Sequence, residues 1–485
     1  MLKRIRERYC ALSLQAKASL WFLICAFMQK GISTLTTPIF TRLMNTEEYG
    51  RFGVFNSWLG IISVLVTLDL YYGVYGQGLV KFSADRAAFS SSMQGLIFTL
   101  CAGYTLIYTL FRQFFNELFH LSTVQMYAAL LIIWNSAVFN LWSEEKRVEY
   151  RYKPIIGVSL LLSVVKPVLG IVLVLRAEDK VTARILGLVI VDTIICTALF
   201  LTQVRRGGRF CSKKYWVYAV GFNLPLLPHY LSGTVLNSTD RIMIENLTGS
   251  GNAGIYNLAY SVAMIMVIFN SSLMQTISPW MYQRIKDNQI KGIDRVAYST
   301  LLLIGVLNIL LILFAPEVVR IFAPPEYAEA IWVIPPVAMS VFFMYGYDLF
   351  AKFSFYYEKT VGIMAASAVS AALNILLNYL CIPVFGYVAA GYTTLICYMV
   401  YALAHYLIMR RACRECCGGE MPYRTGTLLL ITAVFLAVGF LFTLTYTNNL
   451  LRWSLILLIA VLGIIFRNRI AAEIRAILSV RKRQS

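Results

Sequence analysis

The chain has 485 residues, of which 59% are hydrophobic and only 14% charged, and its mean hydropathy is +0.68. Soluble domains carry about a quarter charged residues, so a soluble globular protein is excluded and the chain belongs in lipid. Apolar runs recur too closely to leave space for a soluble domain of ordinary size, which confines function to helices and short loops.

The first residues, MLKRIRERYCALSLQAK, are basic and lead into an apolar run, the outline of a signal peptide. That run continues through Gln29 and Lys30 to Phe40 without a small-residue cleavage site, which predicts a first membrane helix instead. A spanning helix needs about twenty mostly apolar residues. Such windows fall near residues 18–40, 52–75, 93–112, 124–143, 154–176, 184–203 and 215–237, then near 253–278, 297–316, 329–350, 361–381, 386–409, 425–445 and 449–466. The expected fold is therefore an all-α polytopic membrane protein with about fourteen transmembrane helices.

Lys and Arg set the orientation, because cytoplasmic loops collect them. With fourteen spans, 32 fall on the side of the amino terminus and 9 on the other, while Lys30 and Lys166 lie within segments, which accounts for all 43. Both termini are thus expected in the cytoplasm, at an inner membrane. The formal charge of +19 then needs no nucleic acid: a basic cytoplasmic face favours anionic lipid headgroups. The end, RNRIAAEIRAILSVRKRQS, puts Ile470, Ile474, Ile477 and Leu478 on one helical face, which predicts a basic amphipathic helix on the cytoplasmic leaflet.

The chain also repeats itself. TRLMNTEEYGRFGVFN near the first loop is echoed by DRIMIENLTGSGNAGIYN near the seventh, pairing Arg42 with Arg241 at an offset of 199 residues. YRYKPIIG is echoed by FYYEKTVG, pairing Lys153 with Lys359 at an offset of 206. Each repeat holds six helices, an even number, so the halves share an orientation about an axis along the membrane normal. This predicts an N-lobe over residues 1–210 (helices 1–6), a C-lobe over 211–410 (helices 7–12), helices 13 and 14 over 411–466 and the basic tail over 467–485. Paired bundles of this kind are how secondary transporters build alternating access.

Lys30 lies about 20 Å of helical rise from Lys17 and about 18 Å from Arg42, near the bilayer centre, where an ammonium is costly unless it meets water or an anion. It is read as an anion-binding group in a hydrated cavity. Lys166 and Asp192 fall at one depth on neighbouring segments, either a structural ion pair or an ion-coupling site. Pro225 and Pro228 break the seventh segment, tolerated in a membrane mainly where freed backbone groups line protein or a cavity, and His229 follows directly. Arg42, Arg241 and Asp240 lie near the outer ends of their segments, at a gate or simply at the interface. Asp348 and Lys352, one turn apart, read as an interfacial pair. Cys413, Cys416 and Cys417 lack a second pair or a nearby histidine, so no metal is expected. No P-loop, HExxH or large external loop with paired carboxylates occurs, so the chain is expected to be no enzyme and to need no cofactor.

The stretches KGISTLTTPIFTRLMNTEEYGRFGVF, LPLLPHYLSGTVLNSTDRIMI, AGIYNLAYSVAMI and ALNILLNYLCIPVFGYVAAGYTTLICY resemble the polysaccharide-unit flippases, Wzx type, of the multidrug/oligosaccharidyl-lipid/polysaccharide (MOP) exporter superfamily. The resemblance covers nearly the whole chain. It implies two six-helix lobes around a central cavity, alternating access, and a cargo of oligosaccharide on undecaprenyl pyrophosphate, with polysaccharide polymerases as partners. In the related lipid II flippases the first helix carries several basic residues facing the cavity, and aligning TRL places Lys30 on one of them. Thr36 stands where that group has another arginine, which turns the expected cargo toward a capsule or O-antigen unit. Lys30, Arg42, His229 and Arg241 are the expected substrate-binding residues. The competing readings are a drug or cation antiporter of the same superfamily and a membrane polysaccharide polymerase or ligase.

Overall fold

A computed structural model of the protein describes residues 14–465 and Arg467. The basic leader up to Ser13 and, apart from Arg467, the expected amphipathic tail lie outside the described residues. Those described are almost all helical, with no strand among them. They form two compact units, Met1–Ser238 and Thr239–Ser485.

The first unit runs α1 (Leu14–Leu43), α2 (Thr46–Thr67), α3 (Val74–Lys81), α4 (Arg86–Leu110), α5 (Arg112–Phe119), α6 (Thr123–Val148), α7 (Tyr152–Val174), α8 (Lys180–Gly207) and α9 (Lys213–Asn223). A 3-10 turn at Leu224–Leu226 then leads into α10 (Leu227–Thr248), which carries the chain into the second unit. Local chemistry sets the starts. Asn45 Oδ1 accepts from the Glu48 amide at 2.8 Å while Glu48 Oε2 accepts from the Asn45 amide at 2.9 Å, a capping box that ends α1 and begins α2. Ser122 and Gln125 do the same for α6. α8 forms the centre of the unit and packs against α4, α6 and α7.

The second unit continues with α11 (Ser250–Ala263), α12 (Met266–Lys286), α13 (Ile293–Leu313), α14 (Ala315–Phe322), α15 (Ala330–Tyr356), α16 (Thr360–Phe385), α17 (Ala389–Cys416), α18 (Thr425–Leu444) and α19 (Asn449–Ile465). Its core helix is α15, against which α11, α12, α13 and α17 pack. Val333, Ile334, Val337, Ala338 and Met339 on α15 are fully buried, so its apolarity reflects burial in protein as well as in lipid.

Helices occupy all fourteen segments expected from the sequence, and eleven of them are long and apolar enough to cross a membrane. The first, seventh and fourteenth segments are the three outside those eleven. The seventh segment is broken at Leu224–Leu226, and α1 carries a polar run around Gln29–Thr37. The second segment also departs from expectation: α2 stops at Thr67, and Leu68 and Asp69 take left-handed φ of 51° and 47° before α3 begins. Asn223, fully buried at the end of α9, donates its Nδ2 to the carbonyls of Leu68 at 2.9 Å and Asp69 at 2.8 Å. The side chain at one helix break is thereby fastened to the carbonyls of the other, which need a partner away from water.

Candidate functional site

The α7–α8 crossing in the first unit is unusually close. A methyl added at Gly187 would lie 2.6 Å from the Gly170 Cα, so only glycine allows this approach. Helix association in a membrane relies on van der Waals contact and polar pairing rather than on hydrophobic drive, which favours small residues at a crossing. About one turn away along both helices, Lys166 of α7 meets Asp192 of α8, Nζ to Oδ1 at 2.6 Å. The Asp192 side chain is 8% exposed and that of Lys166 27%: the carboxylate is enclosed by helices, while the ammonium borders an open space.

That space is a cavity of about 200 Å³ lined by Gln29 of α1, Asn135, Ser136 and Asn140 of α6, Ser159, Ser163 and Lys166 of α7, and Asp192 and Cys196 of α8. A second cavity of about 370 Å³ shares Gln29, Leu162, Ser163 and Lys166 with it and continues past Ser33, Thr36 and Asn56 to Arg184. The polar run of α1 thus forms a wall rather than a lipid-facing surface. Asn135 donates to Thr193 Oγ1 at 2.9 Å, yet its own Oδ1 is buried without a hydrogen-bond partner. An orphan acceptor costs about 1–3 kcal/mol and is relieved by a donor, water or ligand, in the cavity. Amides, hydroxyls and one ion pair in lipid-spanning helices make a space that can hydrate polar cargo at a depth where lipid cannot.

Lys30 adjoins Gln29, is exposed, and makes no hydrogen bond or ion pair among the described residues; it lies beside the cavity rather than among its lining. Arg42 is exposed and donates to the Pro38 carbonyl at 2.8 Å in the last turn of α1. His229 sits in the first turn of α10, directly after the proline-bearing break, its Nδ1 buried without a hydrogen-bond partner. Of the residues singled out in the first unit, Lys166 and Asp192 are brought into contact.

In the second unit Arg241 stacks on the Tyr260 ring, Cζ to centroid 4.2 Å. Asp240 beside it is 1% exposed and accepts from the Tyr256 hydroxyl, Asn378 Nδ2 and Thr394 Oγ1, each at 2.7 Å. Thr393 Oγ1 bonds Asn378 Oδ1 in turn. Two hydroxyls and one amide thus donate to this carboxylate. No group of three or more His, Cys, Asp or Glu that could hold a metal ion is found among the described residues. Asp348 and Lys352 pair at 2.6 Å one turn apart.

Sequence reasoning passed over two buried ionic groups. Glu145, 1% exposed, accepts from Gln203 Nε2 at 2.6 Å and Arg206 at 3.1 Å, and Gln203 accepts from Gln94 at 2.6 Å. In the string SEEKR it reads as part of a solvated helix end, and nothing in the local pattern marks it as enclosed. Glu317 and Arg452 form a two-pronged pair at 2.7 and 2.6 Å; their separation in the chain hides it.

Comparison with known proteins bears on what these features serve. The sequence profile of a family described as polysaccharide biosynthesis protein matches residues 16–285, and the MatE profile matches residues 225–380. "Lsg locus putative protein 1" of Haemophilus influenzae is 20% identical over 376 residues, covering 74% of this chain and 89% of that protein. Among solved structures, the lipid II flippase MurJ in an inward closed conformation superposes with a TM-score of 0.70 at 13% identity, over 93% of this chain and 99% of MurJ. An inward-facing multidrug resistance MATE family transporter of the MOP superfamily gives 0.60 at 12% identity, over 81% and 96%. At these identities the likeness is one of fold.

Proposed function

Because the chain belongs to the polysaccharide biosynthesis protein family, within the MOP superfamily of membrane transporters and flippases, we propose that it is a Wzx-type flippase. It moves undecaprenyl-pyrophosphate-linked oligosaccharide units from the cytoplasmic to the outer leaflet by alternating access, for O-antigen or capsule assembly. The observation that supports this cargo best is the polar cavity system beside Lys166, walled by the hydrophilic stretch of α1. A sugar chain carries many hydroxyls and a pyrophosphate carries charge, and neither crosses hydrocarbon unless hydrogen-bonding groups replace water. Lys30 meets the pyrophosphate, with Arg42, Arg241 and His229 as further contacts along the route. Lys166 and Asp192 hold the cavity or couple it to an ion. Both termini are cytoplasmic, anionic lipids meet the basic face, and a polysaccharide polymerase receives the product.

Complementation of a flippase-deficient strain, with the leaflet position of its lipid-linked units measured directly, tests this reading. Restored surface polysaccharide with units accessible from outside is the expected result. Units that remain on the cytoplasmic leaflet, with the protein abundant and inserted, would refute it. The match of the MatE profile favours one other reading, export of an organic cation, which predicts that such a compound, not the lipid-linked unit, is moved in proteoliposomes.

A further inference from the structure

The eight-residue helix α5, RQFFNELF, connects two membrane-spanning helices, α4 and α6. Both neighbours enter the bilayer from the end where α5 lies, so continuity of the chain puts it at a membrane boundary. Apart from the exposed Arg112 at its start, its residues and the preceding Phe111 divide into three sectors. Phe115, Asn116 and Phe119 face the unit: Asn116 accepts from the Tyr108 hydroxyl and donates to Thr123 Oγ1, both at 2.9 Å, and the Phe119 ring lies 4.7 Å from Trp58. Gln113 and Glu117 are exposed and polar. Between these sectors Phe111, Phe114 and Leu118, spaced three and four apart, are apolar yet 60%, 60% and 49% exposed.

A helix with a protein side, a water side and an uncovered apolar side is built for the line where protein, water and lipid meet. The uncovered side continues the exposed apolar flank of α4, where Leu106 is 62% and Leu110 70% exposed. A parallel feature in the second unit strengthens the argument. α14, also of eight residues, follows span α13 just as α5 follows α4, and it starts 203 residues later, between the two repeat offsets. Glu317 holds one side of α14 through Arg452, while Ile321 on it is 64% exposed.

We propose that α5 is an interfacial helix that seats Phe111, Phe114 and Leu118 in the boundary between headgroups and acyl chains, on the leaflet opposite the basic loops. Its occupant is the bilayer itself. Pinned to α2, α4 and α6 on its inner face, it fixes the depth of that end of the first unit in the membrane. The inference rests on membrane insertion and not on the identity of the cargo, so the flippase assay can fail while this stands.

The test is spin labelling in liposomes. F114C, L118C, Q113C and E117C are made singly in a background whose native cysteines are replaced, and collisions with lipid-soluble oxygen and with a water-soluble nickel complex are compared. Labels at 114 and 118 should favour oxygen and those at 113 and 117 nickel, with at least a several-fold contrast between the sets. Equal nickel access at all four positions would overturn the proposal. Should the cysteine-free background not fold, F114W in the otherwise native chain provides the second measurement: lipids brominated near the headgroup end of the acyl chain should quench an added emission component that the native protein lacks. An unquenched added component would equally refute the assignment.

Discussion

Removing one partner of the Lys166–Asp192 pair should cost more than removing both. The pair lies at 2.6 Å with the carboxylate 8% and the ammonium 27% exposed, and stranding one charge of a buried pair costs about 3–5 kcal/mol. The asymmetry in exposure makes the two single substitutions unequal. Lys166→Met leaves Asp192 enclosed by helices without its partner, and a loss of about 3 kcal/mol is expected. Asp192→Leu leaves Lys166 at the edge of a polar cavity, where water can take over, so about 1–2 kcal/mol is expected. The double variant should lose no more than about 1 kcal/mol relative to the native protein, giving a coupling energy of about 3–5 kcal/mol. Equilibrium unfolding in mixed micelles with increasing denaturing detergent measures all four corners of the cycle. Additive losses, or a larger loss for Asp192→Leu than for Lys166→Met, would refute the reasoning. Measuring transport on the same variants separates roles: a stable double variant that no longer transports assigns the pair to function, and one that transports normally assigns it to structure.

Lys30→Arg should keep most export while Lys30→Gln abolishes it at equal abundance, because the proposed role needs charge rather than shape; complementation with protein quantified alongside decides this, and normal export by Lys30→Gln would remove the residue from the route. Asn223→Ala deletes both donors to the Leu68 and Asp69 carbonyls and should destabilise the first unit by about 2–3 kcal/mol, read as earlier hydrogen exchange around residues 63–74. Glu149, just beyond α6, is pushed up by partial burial but held on balance below the usual carboxylate range by Lys146, Arg206 and Arg151. A depressed folded pKa stabilises above the unfolded value and is lost as pH falls through the folded one. Glu149→Gln should therefore flatten the acid side of the stability profile below the ordinary carboxylate pKa and lower the profile above it by a constant amount, leaving its slope there unchanged.

Periodicity and composition determined the helical segments, because twenty apolar residues with few charges have one stable form in lipid, a helix that satisfies its own backbone. The family is likewise legible, in stretches such as LPLLPHYLSGTVLNSTDRIMI that keep their local pattern wherever the helices pack. The depth of Lys166 and Asp192 could be computed from the rise per residue, but depth says nothing of rotation about the helix axis. The Gly170–Gly187 contact brings the two side chains onto facing surfaces. The same gap explains Glu145 and Asp240. One stood in a charged string and the other near a helix end, and each is buried only because residues over 50 positions away, Gln203 for Glu145 and Asn378 and Thr394 for Asp240, close over it. The break at Leu68–Gly73 was invisible for a related reason. Its residues are mostly apolar and continue the hydrophobic run, whereas the partner that stabilises the open backbone, Asn223, comes from a distant helix. Local sequence fixes what can be helical and what must lie in lipid; which polar groups lose water, and to whom they turn, depends on tertiary packing.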